Sequence, residues 1–171
     1  TRFCVGGRGY THSILDYRRI LTDGLPEYAR RISEKLAAVT DGEKRDFYLA
    51  CQEAFEAVML MLNKAADACE AGPLQTALQA AAARPPETFY EAIVLFNFMF
   101  YIDGCDTTGA IDRYLAPFYL RDLEAGIISS DQAEAWLAVF FANVDANSGW
   151  HVILGGDGVP DFIYENAFKA I

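Results

Sequence analysis

RPPETFYEAIVLFNFMFYIDGCDTTGAIDRYLAPFY, from Arg84 to Tyr119, is the stretch from which the rest of the chain is read. Arg84-Pro85-Pro86 is a rigid break, because proline lacks an N–H and restricts the residue before it. Thr88 or the turn before it caps a helix, and Glu91 supports that cap from the third position on. The helix continues as an almost wholly apolar, aromatic segment to about Ile102. It breaks into a polar loop, Asp103 to Gly109, and restarts from about Ile111 with Asp112, Arg113 and Tyr114. An apolar helix aimed into a loop of Asp, Cys and Thr is one way a buried polar pocket is built.

Upstream, the spacing predicts scaffold. Thr1 to Thr11 reads as a short extended segment with a glycine turn; its GGRG lacks the spacing of a phosphate loop. From Ser13 the apolar residues fall at helical intervals, with Tyr17, Ile20, Leu21 and Leu25 in register and a break at Gly24 and Pro26. A second helix spans about Pro26 to Val39, its charged side a solvated face. After the Thr40-Asp41-Gly42 turn, a long helix runs from about Glu43 to Ala71. Phe47, Cys51, Phe55, Val58 and Leu62 line its inner stripe, and Met59-Leu60-Met61 predicts neighbours all round it. Gly72-Pro73 stops it, and an alanine-rich helix covers Leu74 to Ala83.

Downstream, a helix from about Ile111 to Ala125 contains Pro117 and ends at Gly126. Ser129-Ser130-Asp131 caps another, whose apolar face is Trp136, Leu137, Phe140, Phe141 and Val144. Trp150 to Leu154 is then β-branched and apolar before Gly155-Gly156, which predicts a strand. A single strand leaves its backbone groups unpaired, so its partner is expected in the N-terminal extended segment or in sequence outside these residues. A last helix opens near Pro160.

Length and composition bound the class. The 171 residues are 53% hydrophobic and carry a net charge of −10. That suffices for one domain with a sizeable core and argues against disorder and against a general nucleic-acid binder. The longest apolar run is far short of the roughly 20 residues of a membrane-spanning helix. No secretory signal is visible, and the four cysteines lack CxxC spacing. No metal site is expected, and a reducing cytoplasm suits the thiols.

The chemistry-bearing residues stay ambiguous from spacing. His12 and Asp16 lie four apart, as an acid–base pair or as a packed helix start. Cys105 is flanked by carboxylates that raise a thiol's pKa, so a nucleophilic role would need His12 or His151 close in space. Asp106, Thr107 and Thr108 suit either a pocket lining or the cap of the following helix. His151 reads as a core residue of its strand.

Several segments, in order, resemble the glycyl radical enzymes of the pyruvate formate-lyase type. His12-Ser-Ile-Leu-Asp16-Tyr17 with Gly24-Leu25 looks like the family's GHxxPDYxxVLxxGL start. Lys44-Arg-Asp-Phe-Tyr48 with Glu56-Ala57 looks like KRDFYxA…EA, and Pro86 to Ala92 like PxTFxEALQ. Asp112 to Tyr119 is similar to DQYLxPFY, and Ile153 to Gly156 to the first-strand end TLGG. Ala110 and Arg113 depart from the arginine and glutamine usual around that aspartate.

The resemblance implies a mainly α chain: the helical portion of a glycyl radical enzyme α/β barrel, with a short extended N-terminal segment and one strand near residues 150–154. It implies one domain fragment over residues 1–171. The implied reaction is radical C–C or C–O bond cleavage of a small organic molecule, by a formate acetyltransferase-like lyase or a dehydratase, in an anaerobic cytoplasm. That chemistry needs a catalytic cysteine loop and a radical glycine in an RVxG motif. Neither motif occurs here, so the 171 residues are expected to be inactive alone and to carry no catalytic residue. Gly104-Cys105-Asp106 only superficially matches the cysteine loop, and sits where the family contacts substrate. By position, His12, Cys105, Asp106 and Thr107 are the implied substrate-binding residues. No cofactor is expected on this chain; the parent family needs a glycyl radical installed by an activating enzyme with an iron–sulfur cluster and S-adenosylmethionine. Implied partners are the remainder of the parent enzyme, that activating enzyme, a small-molecule substrate and a second copy in a homodimer, with no nucleic acid or membrane. The alternatives are a stand-alone helical interaction module derived from the family, and a small Cys–His enzyme using Cys105. Apolar faces around Trp136, Phe140 and Trp150 are expected to be exposed in such a fragment or to self-associate.

Overall fold

The computed structural model describes residues 14–104, 107–147 and 151–155, the last three-residue strand by its backbone alone. The chain divides into two compact units, Arg19–Pro86 and Thr1–Arg18 with Glu87–Ile171.

Helix α1 (Tyr17–Asp23), whose residues from Arg19 on belong to the unit Arg19–Pro86, ends at Gly24, whose φ of +76° turns the chain into α2 (Leu25–Ala38). Pro26 falls in the first turn of α2, where a missing N–H breaks no helical bond. Helix α3 (Gly42–Ala68) starts on Asp41, which accepts the Lys44 N–H at 2.9 Å. Helix α4 (Pro73–Ala83) follows, and the Gln75 amide donates to the Ala66 carbonyl at 3.1 Å, closing the end of α3. Helix α3 packs on α2 and α4, and α2 on α4.

The expectation that α3 is covered all round fails. Leu62 and Ala66 are its buried residues, whereas Phe47 is 63% exposed and Leu60 55%. Two neighbouring helices cover one side of a helix, and the apolar residues of the opposite sides stay in water.

In the other unit, helix α5 (Phe89–Ile102) buries Phe89, Ala92, Ile93, Val94, Leu95, Phe96, Met99 and Phe100. A helix apolar on every side must be surrounded, and α5 packs against both α6 (Ile111–Glu124) and α7 (Ser130–Ala146). Its start is fixed twice. Thr88 accepts the Glu91 N–H at 3.1 Å, and the Glu91 carboxylate accepts the Glu87 N–H at 2.7 Å. Asp122 of α6, fully buried, also accepts the Phe89 N–H at 2.6 Å. The same side chain holds Arg121, which reaches on to the Glu87 carbonyl. Pro117 lies inside α6 on its exposed side, where water can reach the carbonyl that a missing N–H leaves behind. Helix α7 opens with a capping box between Ser129 and Gln132. Phe140 is buried against Phe96, Phe100 and Phe141, contrary to the expected exposure of that face; Trp136 is half-buried against Phe89 and Tyr90, and Trp150 lies outside the described residues.

The strand expected near residues 150–154 is β2 (His151–Ile153). Its partner corrects the sequence reading. Strand β1 (Thr107–Ala110), part of what reads as a polar loop, pairs with β2 in parallel. Thr107 faces His151, Gly109 faces Val152 and Ala110 faces Ile153, with one irregularity between Thr107 and Gly109. Threonine is a strand former, and strand pairing joins residues that no local pattern relates. The N-terminal extended segment lies outside the described residues.

Candidate functional site

The site lies where α5 leads into β1 and β1 into α6. Helix α5 ends on Asp103, and the Gly104 N–H donates to the Tyr101 carbonyl at 3.2 Å with φ +84°. Of the four expected substrate-binding residues, His12, Cys105 and Asp106 lie outside the described residues. Thr107 is described and is 6% exposed, its hydroxyl accepting the Gly109 N–H at 3.3 Å. Thr108 is fully buried and donates to the Gly109 carbonyl at 3.3 Å. Asp16 is exposed at the approach to α1, and the register sets the backbone of His151 beside Thr107.

Two residues that the sequence offers only as part of the DQYLxPFY-like segment, and not as site candidates, are brought here by the fold. Asp112, 2% exposed in the first turn of α6, accepts the N–H of Arg113 at 2.8 Å through one oxygen and that of Gly155 through the other. Two backbone donors and the positive end of the helix dipole compensate a carboxylate that would otherwise be costly to bury. Tyr114 lies over Gly109: a Cβ built on that glycine would sit 3.2 Å from the Tyr114 hydroxyl. Its ring is tilted on Tyr17 at 6.2 Å and stacked near Phe96 at 6.4 Å, while Tyr17 and Phe96 stack at 4.0 Å. The available signal was Asp112 in the first turn after the Gly109-Ala110 link, a small polar residue at a helix start.

Both strands run the same way, so Ala110 and Ile153 end at one edge, and the Asp112–Gly155 bond closes that edge. In parallel α/β sheets ligands bind beyond the carboxyl ends of the strands. Near that edge stand the Asp112 carboxylate, committed to two N–H groups, and the Tyr114 phenol beside Gly109, while Thr107 opens β1 at the other end of the strand. Among the described residues, no group of three or more His, Cys, Asp or Glu side chains could hold a metal ion. No described helix is long and apolar enough to cross a membrane.

Over residues 4–148 the sequence matches the family model described as pyruvate formate lyase-like. The chain belongs to that family. It is 29% identical over 150 residues to the isethionate sulfite-lyase of Bilophila wadsworthia, covering 71% of this chain and 18% of that protein. It is 28% identical over 130 residues to the trans-4-hydroxy-L-proline dehydratase of Clostridioides difficile, covering 72% and 14%. Among solved structures it resembles the glycerol-bound form of the B12-independent glycerol dehydratase from Clostridium butyricum, with a TM-score of 0.67 at 19% identity over 88% of this chain and 21% of that one. A glycyl radical enzyme from Archaeoglobus fulgidus gives 0.63 at 22% identity, covering 88% and 22%. These likenesses give the fold, a mainly helical portion of a glycyl radical enzyme. This pyruvate formate lyase-like chain spans less than a fifth of the length of those two curated relatives.

Proposed function

We propose that the chain is part of a glycyl radical enzyme that cleaves a C–C or C–O bond of a small organic molecule, and that its β1 edge forms one wall of the substrate site. The Asp112–Gly155 bond carries this reading. It joins the segment that looks like DQYLxPFY to the segment that looks like TLGG at the carboxyl end of β1, the strand that Thr107 opens. His12, Cys105, Asp106 and Thr107 are the proposed substrate-binding residues. The matched lyase and dehydratases favour elimination from a hydroxylated substrate over acetyl transfer, which stays the second form of the reaction.

On this reading residues 1–171 form one domain fragment and are inactive alone, because the sequence has no RVxG motif and no cysteine loop of the family's type. The remainder of the parent enzyme supplies both. An activating enzyme with an iron–sulfur cluster and S-adenosylmethionine installs the radical, the parent is a homodimer, and the setting is an anaerobic cytoplasm. The gene tests this directly: a reading frame that continues into a cysteine loop and a C-terminal RVxG supports the enzyme, and a stop codon near Ile171 sinks it. At the residue level, glycerol is the probe: its titration should shift the Thr107 methyl resonance saturably.

One observation favours the second reading, a helical interaction module. Phe47, Leu60 and Met61 of α3 are exposed, and apolar residues on one helix suit a protein partner. A stop codon near Ile171 together with a monodisperse complex would favour it.

A further inference from the structure

We infer that Tyr101 and Asn147 are positioning residues for Thr107: their hydrogen bond holds a bulge in β1 that fixes how Thr107 meets β2. The functional half of this rests on the reading of Thr107 as part of the substrate site.

Helices α5 and α7 run in the same direction. Tyr90 packs on Trp136 near their starts and Phe96 on Phe140 midway, and at their ends the Tyr101 hydroxyl donates to Asn147 Oδ1 at 2.9 Å. Asn147 is itself held, its side-chain amide donating to the Asn143 carbonyl at 2.7 Å. Ring contacts tolerate sliding, whereas a hydrogen bond weakens steeply with distance and angle. Helix α5 then leads into β1, and α7 into β2.

A second tie, Asp112 to Gly155, lies past the strands. The first tie joins residues 46 apart in sequence and the second residues 43 apart, so the branch through β1 holds three residues more than the branch through β2. The pairing shows where one of them goes. Thr107 faces His151 and Gly109 faces Val152, which leaves Thr108 as the extra residue. Bulges are rare between parallel strands, and they re-aim side chains where they occur. This one is completed locally: Thr107 accepts the Gly109 N–H, and Gly109 takes a φ of +60°.

Strand β1 does not fix this register by itself. Thr-Thr-Gly-Ala has no large side chain whose place in the core would specify one pairing. Without the first tie the extra residue can pass back towards α5. Thr108 then comes opposite His151, and Thr107 is displaced into the link before the strand.

The test is amide hydrogen exchange in the 171-residue chain. The Gly109 amide reports the bulge, and the Phe89 amide, held by Asp122, is the control. Tyr101 is 46% exposed, so Tyr101→Phe keeps the ring and breaks a surface bond. It should quicken exchange at Gly109 about three- to tenfold, the loss of one hydrogen bond, and leave Phe89 unchanged. In an Asn147→Ala background, Tyr101→Phe should add nothing further. Glycerol at about ten times its Kd should slow Gly109 exchange about tenfold in the unaltered chain, because a ligand of the bulged form suppresses the slipped one. Gly109 exchange that Tyr101→Phe leaves unchanged, or that quickens equally at Phe89, overturns the inference. Additive effects of the two changes overturn it as well. Bound glycerol that does not slow Gly109 exchange overturns the positioning role. A Thr107 methyl that glycerol never shifts overturns the substrate-site reading and the functional half with it, while the response to Tyr101→Phe still decides the register half.

Discussion

The Asp112 carboxylate accepts the backbone N–H of Gly155 across 43 residues of sequence, tying the first turn of α6 to the end of β2. Its other oxygen accepts the Arg113 N–H. Asp112→Ala leaves both donors without this partner and should cost about 2 kcal/mol. Asp112→Asn, which can keep one acceptor, should cost less. Hydrogen exchange at the Gly155 amide checks the cause: it should accelerate in the alanine variant more than amides of α4 do. Equal acceleration everywhere would mean the bond has no local role.

Asp122 anchors the start of α5 by accepting the Phe89 N–H while pairing with Arg121. Its removal orphans a donor at a buried helix end and frees a cation, so Asp122→Ala should cost about 3 kcal/mol. Arg121→Ala should cost less, because half of that side chain is already in water. Urea midpoints of the two variants give the comparison.

Gly24, Gly109 and Gly126 each have a positive φ and differ in the room beside them. Gly126 has open space where a Cβ would go, so Gly126→Ala should cost only the left-handed strain, about 1 kcal/mol. Gly109→Ala adds contact with Ile14 and the Tyr114 ring. Gly24→Ala puts a Cβ 2.7 Å from the Pro85 nitrogen, backbone that cannot swing aside, and should be the most damaging. A stability order other than 126, 109, 24 would contradict these packings.

Glu27 accepts from Arg30 at 2.7 Å, and that hydrogen bond holds its carboxyl below the ordinary 4.5. A folded-state value below the unfolded one adds stability above about pH 4.5 that is lost as pH falls through the lowered value. Glu27→Gln should therefore lower the urea midpoint slightly at pH 7 and not at pH 3. The difference should shrink in 1 M salt, since the pair is exposed.

Local sequence determined the helices. Gly24, Asp41, Gly72-Pro73, Thr88, Gly126 and Ser129 mark their ends because capping and backbone strain act over a few neighbouring residues. Sequence also determined the family, since five short segments in order outweigh what any one of them says. Tertiary structure decided the rest. Thr107–Ala110 reads as loop in isolation, and becomes a strand only because His151–Ile153 lies beside it. Phe47 and Phe140 have the same apolar character in a helical stripe, yet one is in water and the other in the core. Hydrophobicity states what a side chain gains by burial, and the neighbours decide whether burial is available. Asp112 and Tyr114 were legible as a motif. Their partners, Gly155 and Gly109, were not, because a hydrogen bond or a close approach between distant residues leaves no mark on local spacing.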